Sequence, residues 1–465
     1  MERVGEHAVV VGASVGGLLA AAALAGRYRR VTVVERDALP AVGQGRRAVP
    51  QGRHVHALLP SGERAMEELL PGIAADLVAA GAVPYEPLTE MRFRPGGHLL
   101  ARASLGLRCL AASRPLIEGH VRRRVAALDG VTIADRRDVV GLIGDGGRVR
   151  GVRVLGREEG SVVTELEADL VVGASGRGGR LGAWLEALGF ARPREERVRV
   201  DLVYASRELR LPVPSIGGDK VVLLAARPGV PRGVSLFAQE HGRWLLTVSG
   251  YGAAHRPPAD GGAHLAFAAA LAPPDVLAAL RAAEPLGDVA VHGFPASVRR
   301  RWERMERWPA GLVPIGDAIA SFNPIYGQGM SVAALEAVAL RDCLAAGPGG
   351  LERRYARAAA RIVDAAWALA TGADLALPHV PGPRPARVRV VNAWMRRLLT
   401  VAERDPAVAA TFMRVAGLLD PPQRLLAPAT VARVAAGTLR GRPRRADAPG
   451  PVAAPASATA LRREG

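Results

Sequence analysis

An α/β fold built on a parallel sheet, with an inserted β-sheet domain and a helical C-terminal region, is predicted by three features of the 465-residue chain. The first is a Rossmann-like opening: an apolar strand at Val9–Val11, a glycine turn, a helix from Gly16 to Leu24, and a second strand, Val31–Val34, that runs into Glu35. The second is a later strand that stops at Gly316 and Asp317, before a loop and an alanine-rich helix opening at Gly327–Gly329. The third is the strand-dense stretch from Arg197 to Gly250 between them, including the hairpin GVSLFAQEHGRWLLTVSG.

The opening unit reads GASVGG, Gly12–Gly17. Gly12 permits the tight turn, Ser14 stands where the usual middle glycine would and is still small, and Gly16 and Gly17 bring the helix close to the strand. The helix-terminal amides then face an anion. Glu35 follows at about the 20-residue spacing of an acid that accepts from a ribose hydroxyl. The unit predicts a dinucleotide with an unphosphorylated adenosine ribose.

Composition narrows the class. Hydrophobic residues make up 49% of the chain, which suits a large globular core. The first strand begins almost at Met1 and no apolar run is long enough to span a bilayer, so a cytoplasmic location is expected. Cys109 and Cys343 stand far apart and are expected to be buried, inert thiols. The net charge of +18 does not imply nucleic acid: Lys220 is the single lysine, and Arg122–Arg124 and Arg299–Arg301 read as solvated faces without interleaved aromatics. No metal is expected, because His54 and His56 in VPQGRHVHALLP lack a spaced acid or cysteine partner.

In chain order, Ser61 is expected to cap a helix to Leu70. Residues 83–105 read as strands (MRFR, HLLARASL) around a Pro-Gly-Gly turn. Ser113 caps a helix in which Arg114 either points outward or clamps a diphosphate. Residues 131–155 form a small antiparallel excursion, and ADLVVGASGRGGR returns to the nucleotide sheet with small residues at Ala174–Gly176. A strand near Val289–Phe294 precedes an arginine-rich helix or loop up to Arg307, and WALATGADLALPHVPGPRP interrupts the helices of the C-terminal region. The predicted division is a nucleotide-binding domain (1–82, 106–190, 291–345), a substrate domain (83–105, 191–290), a helical region (346–440) and a disordered tail (441–465).

The order GASVGG, Glu35-Arg36, ASGRGGR and IGDAIASFNPIYGQGMSVA resembles the FAD-dependent monooxygenases built like para-hydroxybenzoate hydroxylase. VPQGRHVHALLPSGERAMEELLPG, GRWLLTVSG and DAAWALATGADLALP look more specifically like the epoxidases of polyether ionophore biosynthesis, of the monensin and lasalocid pathway type. The resemblance implies noncovalent FAD held by Gly12, Ser14, Gly16, Gly17, Glu35 and Arg36, with Arg114 near its pyrophosphate or flavin side. It also implies Asp317 at the ribityl or pyrophosphate region, and Gly327, Gln328, Gly329 and Met330 along the ring. Phe322, Pro324 and Tyr326 would form an apolar substrate side. One departure is Ala174-Ser175-Gly176, where aromatic hydroxylases carry Ala-Asp-Gly, which leaves NAD(P)H or a separate reductase as the electron source.

The implied activity is epoxidation of carbon–carbon double bonds of a polyketide-like precursor, in which the alkene attacks a flavin C4a-hydroperoxide and no side chain serves as catalytic base. The alternatives are aromatic hydroxylation, a flavin-linked isoprenoid reductase, and an inactive flavin-binding subunit. Halogenation ranks lower, because it needs an essential lysine and Lys220 falls in the wrong region. The partners expected are a small polyene substrate, dioxygen and a flavin or NAD(P)H reductase.

Overall fold

The computed structural model describes residues 3–46, 50–56, 58–212 and 216–440; the predicted tail and part of VPQGRHVHALLP lie outside the described residues. The chain opens with β1 (Gly5–Val11), α1 (Val15–Leu24) and β2 (Tyr28–Val34). α1 is apolar on nearly all sides because it is enclosed by the sheet and by later helices. Next come α2 (Pro60–Leu69), α3 (Ile73–Ala79), β3 (Val83–Tyr85), β4 (Met91–Arg94), β5 (Cys109–Ala111), α4 (Arg114–Ala126) and β6 (Val131–Ala134). The antiparallel excursion follows as β7 (Arg137–Gly144), β8 (Val149–Gly156) and β9 (Val163–Glu167), before β10 (Leu170–Gly173) and α5 (Leu181–Ala187).

The second layer comprises β11 (Glu195–Arg210), β12 (Val221–Leu224), β13 (Arg232–Ala238), β14 (Trp244–Tyr251), α6 (Gly261–Ala269), α7 (Pro274–Arg281), β15 (Glu284–Pro285) and β16 (Ala290–Arg300). The chain closes with β17 (Leu312–Pro314), β18 (Ala320–Ser321), α8 (Gly329–Ala345), α9 (Leu351–Leu375), α10 (Ala386–Ala402), α11 (Pro406–Ala416) and α12 (Pro428–Leu439).

Two sheets organise these elements. The first is wholly parallel, in the order β17-β10-β1-β2-β6, so its carboxyl edge collects the exits of β1, β2, β10 and β17. Ligands of open α/β sheets bind at such an edge. The second is an eight-stranded sheet, β18-β16-β11-β14-β13-β12-β4 with β15 beside β11, and α6 and α7 cover one of its faces. No helix among the described residues is long and apolar enough to cross a membrane.

Several local expectations are corrected. Pro60 opens α2 and Leu59 is its cap residue, so the Ser61 hydroxyl caps nothing and lies buried without a partner. HLLARASL is not a strand, and β4 joins the large sheet beside β12 in parallel. β16 continues to Arg300, so the crossing back to the parallel sheet comes after residue 300 and not at 291. Arg299 is 1% exposed and pairs with Asp364 and Glu303; it is no solvated face. α9 runs unbroken through Gly372 to Leu375, and Cys343 is only half-buried. Ser113 does cap α4, accepting from the Leu116 amide at 3.2 Å.

Candidate cofactor and substrate site

The glycine turn has the geometry its sequence requires. Gly12 has φ of +110°, and a side chain there would meet the Ala174 carbonyl oxygen at 2.7 Å. A Cβ on Gly17 would fall 1.9 Å from the Gly12 oxygen. Gly16 faces the opposite motif, its Cβ position 3.4 Å from Ala333 of α8 and 4.0 Å from Gly316. The two stretches singled out in the sequence therefore lie against each other, Gly12–Gly17 beside the Gly316–Asp317 turn.

Ser14 occupies the cap position of α1, yet its hydroxyl does not cap the helix. It donates to Glu118 at 3.1 Å and accepts from Arg114 at 2.7 Å. The first-turn amides of α1 keep their capacity for an anion. Two cations stand in front of them. Arg114 pairs with Glu118 at 3.1 Å, and Arg46 bridges Glu35 at 2.8 Å and Glu118 at 2.8 Å while donating to the Ala13 carbonyl. Burial pushes the Glu118 carboxyl up, but Arg114 and Arg46 outweigh it and hold the group below the usual carboxylate range. Glu35 also accepts from the Ala13 and Asp37 amides. Arg36 is exposed and pairs with Asp37. Arg46 and Glu118 were missed in the sequence: Glu118 lies one turn beyond Arg114, a readable pair spacing, whereas Arg46 sits in an irregular segment without a pattern.

The other side of this junction is built differently. Asp317 makes no side-chain hydrogen bond to any described residue. Burial raises its pKa against the opposing fields of Arg114, Arg177 and Arg300. Beneath it, Glu336 of α8 is fully buried and accepts from the Gly316 amide at 2.6 Å; burial lifts its pKa to about 8. Gln328 is buried with its side-chain oxygen unpartnered, Met330 packs into the main core, and a Cβ at Gly329 would meet nothing within 4 Å. An unpaired carboxylate, open space at a helix start and two cations at an uncapped helix are donors and acceptors that suit FAD.

The loop between Phe322 and Tyr326 is not as apolar as its sequence suggests. Phe322 packs near Trp367 of α9, with ring centroids 6.3 Å apart, and Pro324 is half-buried. Tyr326 donates to Asp374 at 2.8 Å, and the same carboxylate oxygen accepts from Asn323 at 2.8 Å and Tyr251 at 3.1 Å. Asp374 is fully buried, and burial lifts its pKa to about 6 against these three donors. It ties the loop, β14 and α9 together. A lone acid inside the alanine-rich AAWALATGADL was the available signal.

His54 is also more than filler. Its Nδ1 is 2.8 Å from Ser206 Oγ, which lies 2.6 Å from Thr247 Oγ1, and its ring meets Tyr204 edge-on at 4.5 Å. Burial lowers the pKa of His54 to about 3 and that of His56 to about 4, so both are neutral at physiological pH.

Comparison with known proteins places this geometry. The chain is 16% identical to p-nitrophenol 4-monooxygenase PnpA from Pseudomonas putida DLL-E4, with a TM-score of 0.65 over 91% of this chain and all of that one. The flavin-dependent brominase Bmp2 is 15% identical, with a TM-score of 0.63 over 89% and 93% of the two chains. The fold is thus that of flavin-dependent monooxygenases and their relatives. In sequence, kynurenine 3-monooxygenase of Salinispora tropica is 28% identical over 388 residues, 78% of this chain and 77% of its own. Protein Rv3254 of Mycobacterium tuberculosis is 38% identical over 429 residues, 89% of this chain and 90% of that protein, and the chain belongs to its family. No family model matches the chain.

Proposed function

We propose that the protein is an FAD-dependent monooxygenase that adds one oxygen atom from dioxygen to a carbon–carbon double bond of a polyketide-like precursor. The observation that carries the flavoenzyme reading is the meeting of the α1 glycine turn with the Gly316–Asp317 turn, whose carboxylate has no hydrogen bond to a described residue. FAD supplies the electron storage and oxygen activation. The α1 amides, Arg46 and Arg114 would hold its pyrophosphate, Glu35 its adenosine ribose and Asp317 its ribityl hydroxyls. The start of α8, at Gly327–Met330, would offer partial positive charge to the ring. Phe322, Pro324 and Tyr326 would face the substrate and exclude water, which protects a reactive oxygen donor. Electrons would come from NAD(P)H or a reductase.

Epoxidation is favoured by the resemblance to polyether epoxidases and by the chemistry of alkenes, which need no proton removed before attack. Aromatic hydroxylation is the second reading. The names of the similar 3- and 4-monooxygenases support it. Pre-reduced, FAD-loaded protein mixed with labelled dioxygen and either polyenes or phenols separates the two. One label atom in an epoxide is expected; label only in a hydroxylated ring would replace the first reading by the second.

A further inference from the structure

Arg177 follows β10, where the chain departs from the usual Asp-Gly pattern, and its guanidinium stacks on Phe294 of β16 with 4.6 Å to the ring centroid. It is half-buried, yet it contacts no carboxylate of any described residue, unlike Arg46, Arg114, Arg299 and Arg301. Its backbone is fixed: Arg300 donates to the carbonyls of both Arg177 and Asp317, at 3.1 and 3.0 Å. The groups around it are equally unsatisfied. Tyr204 is 5% exposed, its ring centroid lies 5.5 Å from that of His292, and neither side chain hydrogen-bonds to a described residue. His54 uses only Nδ1, toward Ser206, which leaves Nε2 free beside both rings.

A half-buried guanidinium without an ion pair, a phenol and an imidazole without hydrogen bonds, and the unused Nε2 of His54 form one cluster; Asp317, the acid whose field reaches Arg177, makes no ion pair with it. Leaving such groups unpaired is costly, so a ligand that supplies oxygen acceptors is what this arrangement fits. We propose that Arg177, with Tyr204, His292 and His54 Nε2, binds a carboxylate of the substrate. Combined with the function above, on which the inference rests, the substrate class is an unsaturated carboxylic acid held by its acid end on the large sheet. Arg177 is then a specificity-determining residue.

The test uses FAD-loaded full-length protein and three acids, sorbate, cinnamate and oleate, each against its methyl ester, followed by flavin absorbance changes and calorimetry. At least one acid is expected to bind about tenfold or more tighter than its ester. Arg177→Gln should weaken that acid by about ten- to a hundredfold, the range of a lost charged hydrogen bond, and leave the ester and the FAD dissociation constant within twofold. Tyr204→Phe should weaken the acid by a smaller factor. Acids and esters bound alike, or an Arg177→Gln variant whose only change is loss of FAD, would overturn the proposal. A wild-type protein that takes up no FAD would instead sink the flavoenzyme reading.

Discussion

At the α1 end of the junction, the buried carboxylates of Glu35 and Glu118 share the guanidinium groups of Arg46 and Arg114. At the α8 end, Glu336 and Asp374 meet only amides and hydroxyls among the described residues, Asp317 meets no hydrogen-bond donor among them, and burial raises the pKa of all three. The same residue type thus serves two purposes. Paired with arginine, Glu118 is held below the usual carboxylate range, and both acids keep the cations in front of a helix terminus. Without a cation, burial raises an acid's pKa, and Glu336, lifted to about 8, keeps its proton at neutral pH, which spares the start of α8 one negative charge.

The largest effect should follow from breaking the paired end. Arg46→Ala leaves Glu35, 7% exposed, and Glu118, 3% exposed, without their shared partner. Removing one member of a buried pair typically costs about 3–5 kcal/mol, so the FAD-free protein should show a clearly lower denaturant midpoint. An unchanged midpoint would mean that water or Arg114 already satisfies both acids.

At the unpaired end, Asp374→Ala strands the Tyr251, Tyr326 and Asn323 donors. Their combined loss should approach about 3 kcal/mol, since each unsatisfied buried group costs about 1–3 kcal/mol and the three relax together. Asp374→Asn, which keeps one acceptor oxygen, should recover part of it. Equal loss in both variants would show that charge, not hydrogen bonding, matters there.

Asp317→Ala should act on ligand rather than on fold, because Asp317 has no side-chain hydrogen bond to lose. A charged hydrogen bond to a cofactor hydroxyl is worth about 1.5–3 kcal/mol, so FAD affinity should fall roughly ten- to a hundredfold while FAD-free stability stays level. Wild-type FAD affinity in the variant would remove Asp317 from the site.

The smallest change near pH 6 is expected for Glu336→Gln. A free glutamate ionises near 4.5, whereas folded Glu336 keeps its proton to about 8. The folded state therefore binds the extra proton between those values, and the associated stability is lost as pH rises from 4.5 toward 8. The variant should gain about 1–2 kcal/mol over wild type at pH 6, with the gap widening up to about pH 8 and then levelling. Parallel pH curves would show that Glu336 ionises normally.

The opening unit and the Gly316–Asp317 turn were legible in the sequence because their signals are local. Strand, glycines and acid succeed one another at spacings set by the backbone itself, and the same holds for the Ser113 cap. The large sheet was legible in its hairpin, where neighbours in sequence are neighbours in space. The length of β16 was not, because Arg299–Arg301, at the end of the strand, pair with Asp364, Glu195 and Glu196, acids that folding brings to them. Ser61 misled for a related reason: packing of Pro60 and Leu59 sets the start of α2. Arg46, Asp374 and the Arg177 cluster draw their meaning from partners far along the chain. Their charge states depend on burial and on groups supplied by other elements, and no spacing rule encodes either. Sequence alone determined the α/β fold and the two motifs that meet at the site; the tertiary structure decided which acids pair with a cation, which do not, and where an arginine is left without an ion pair.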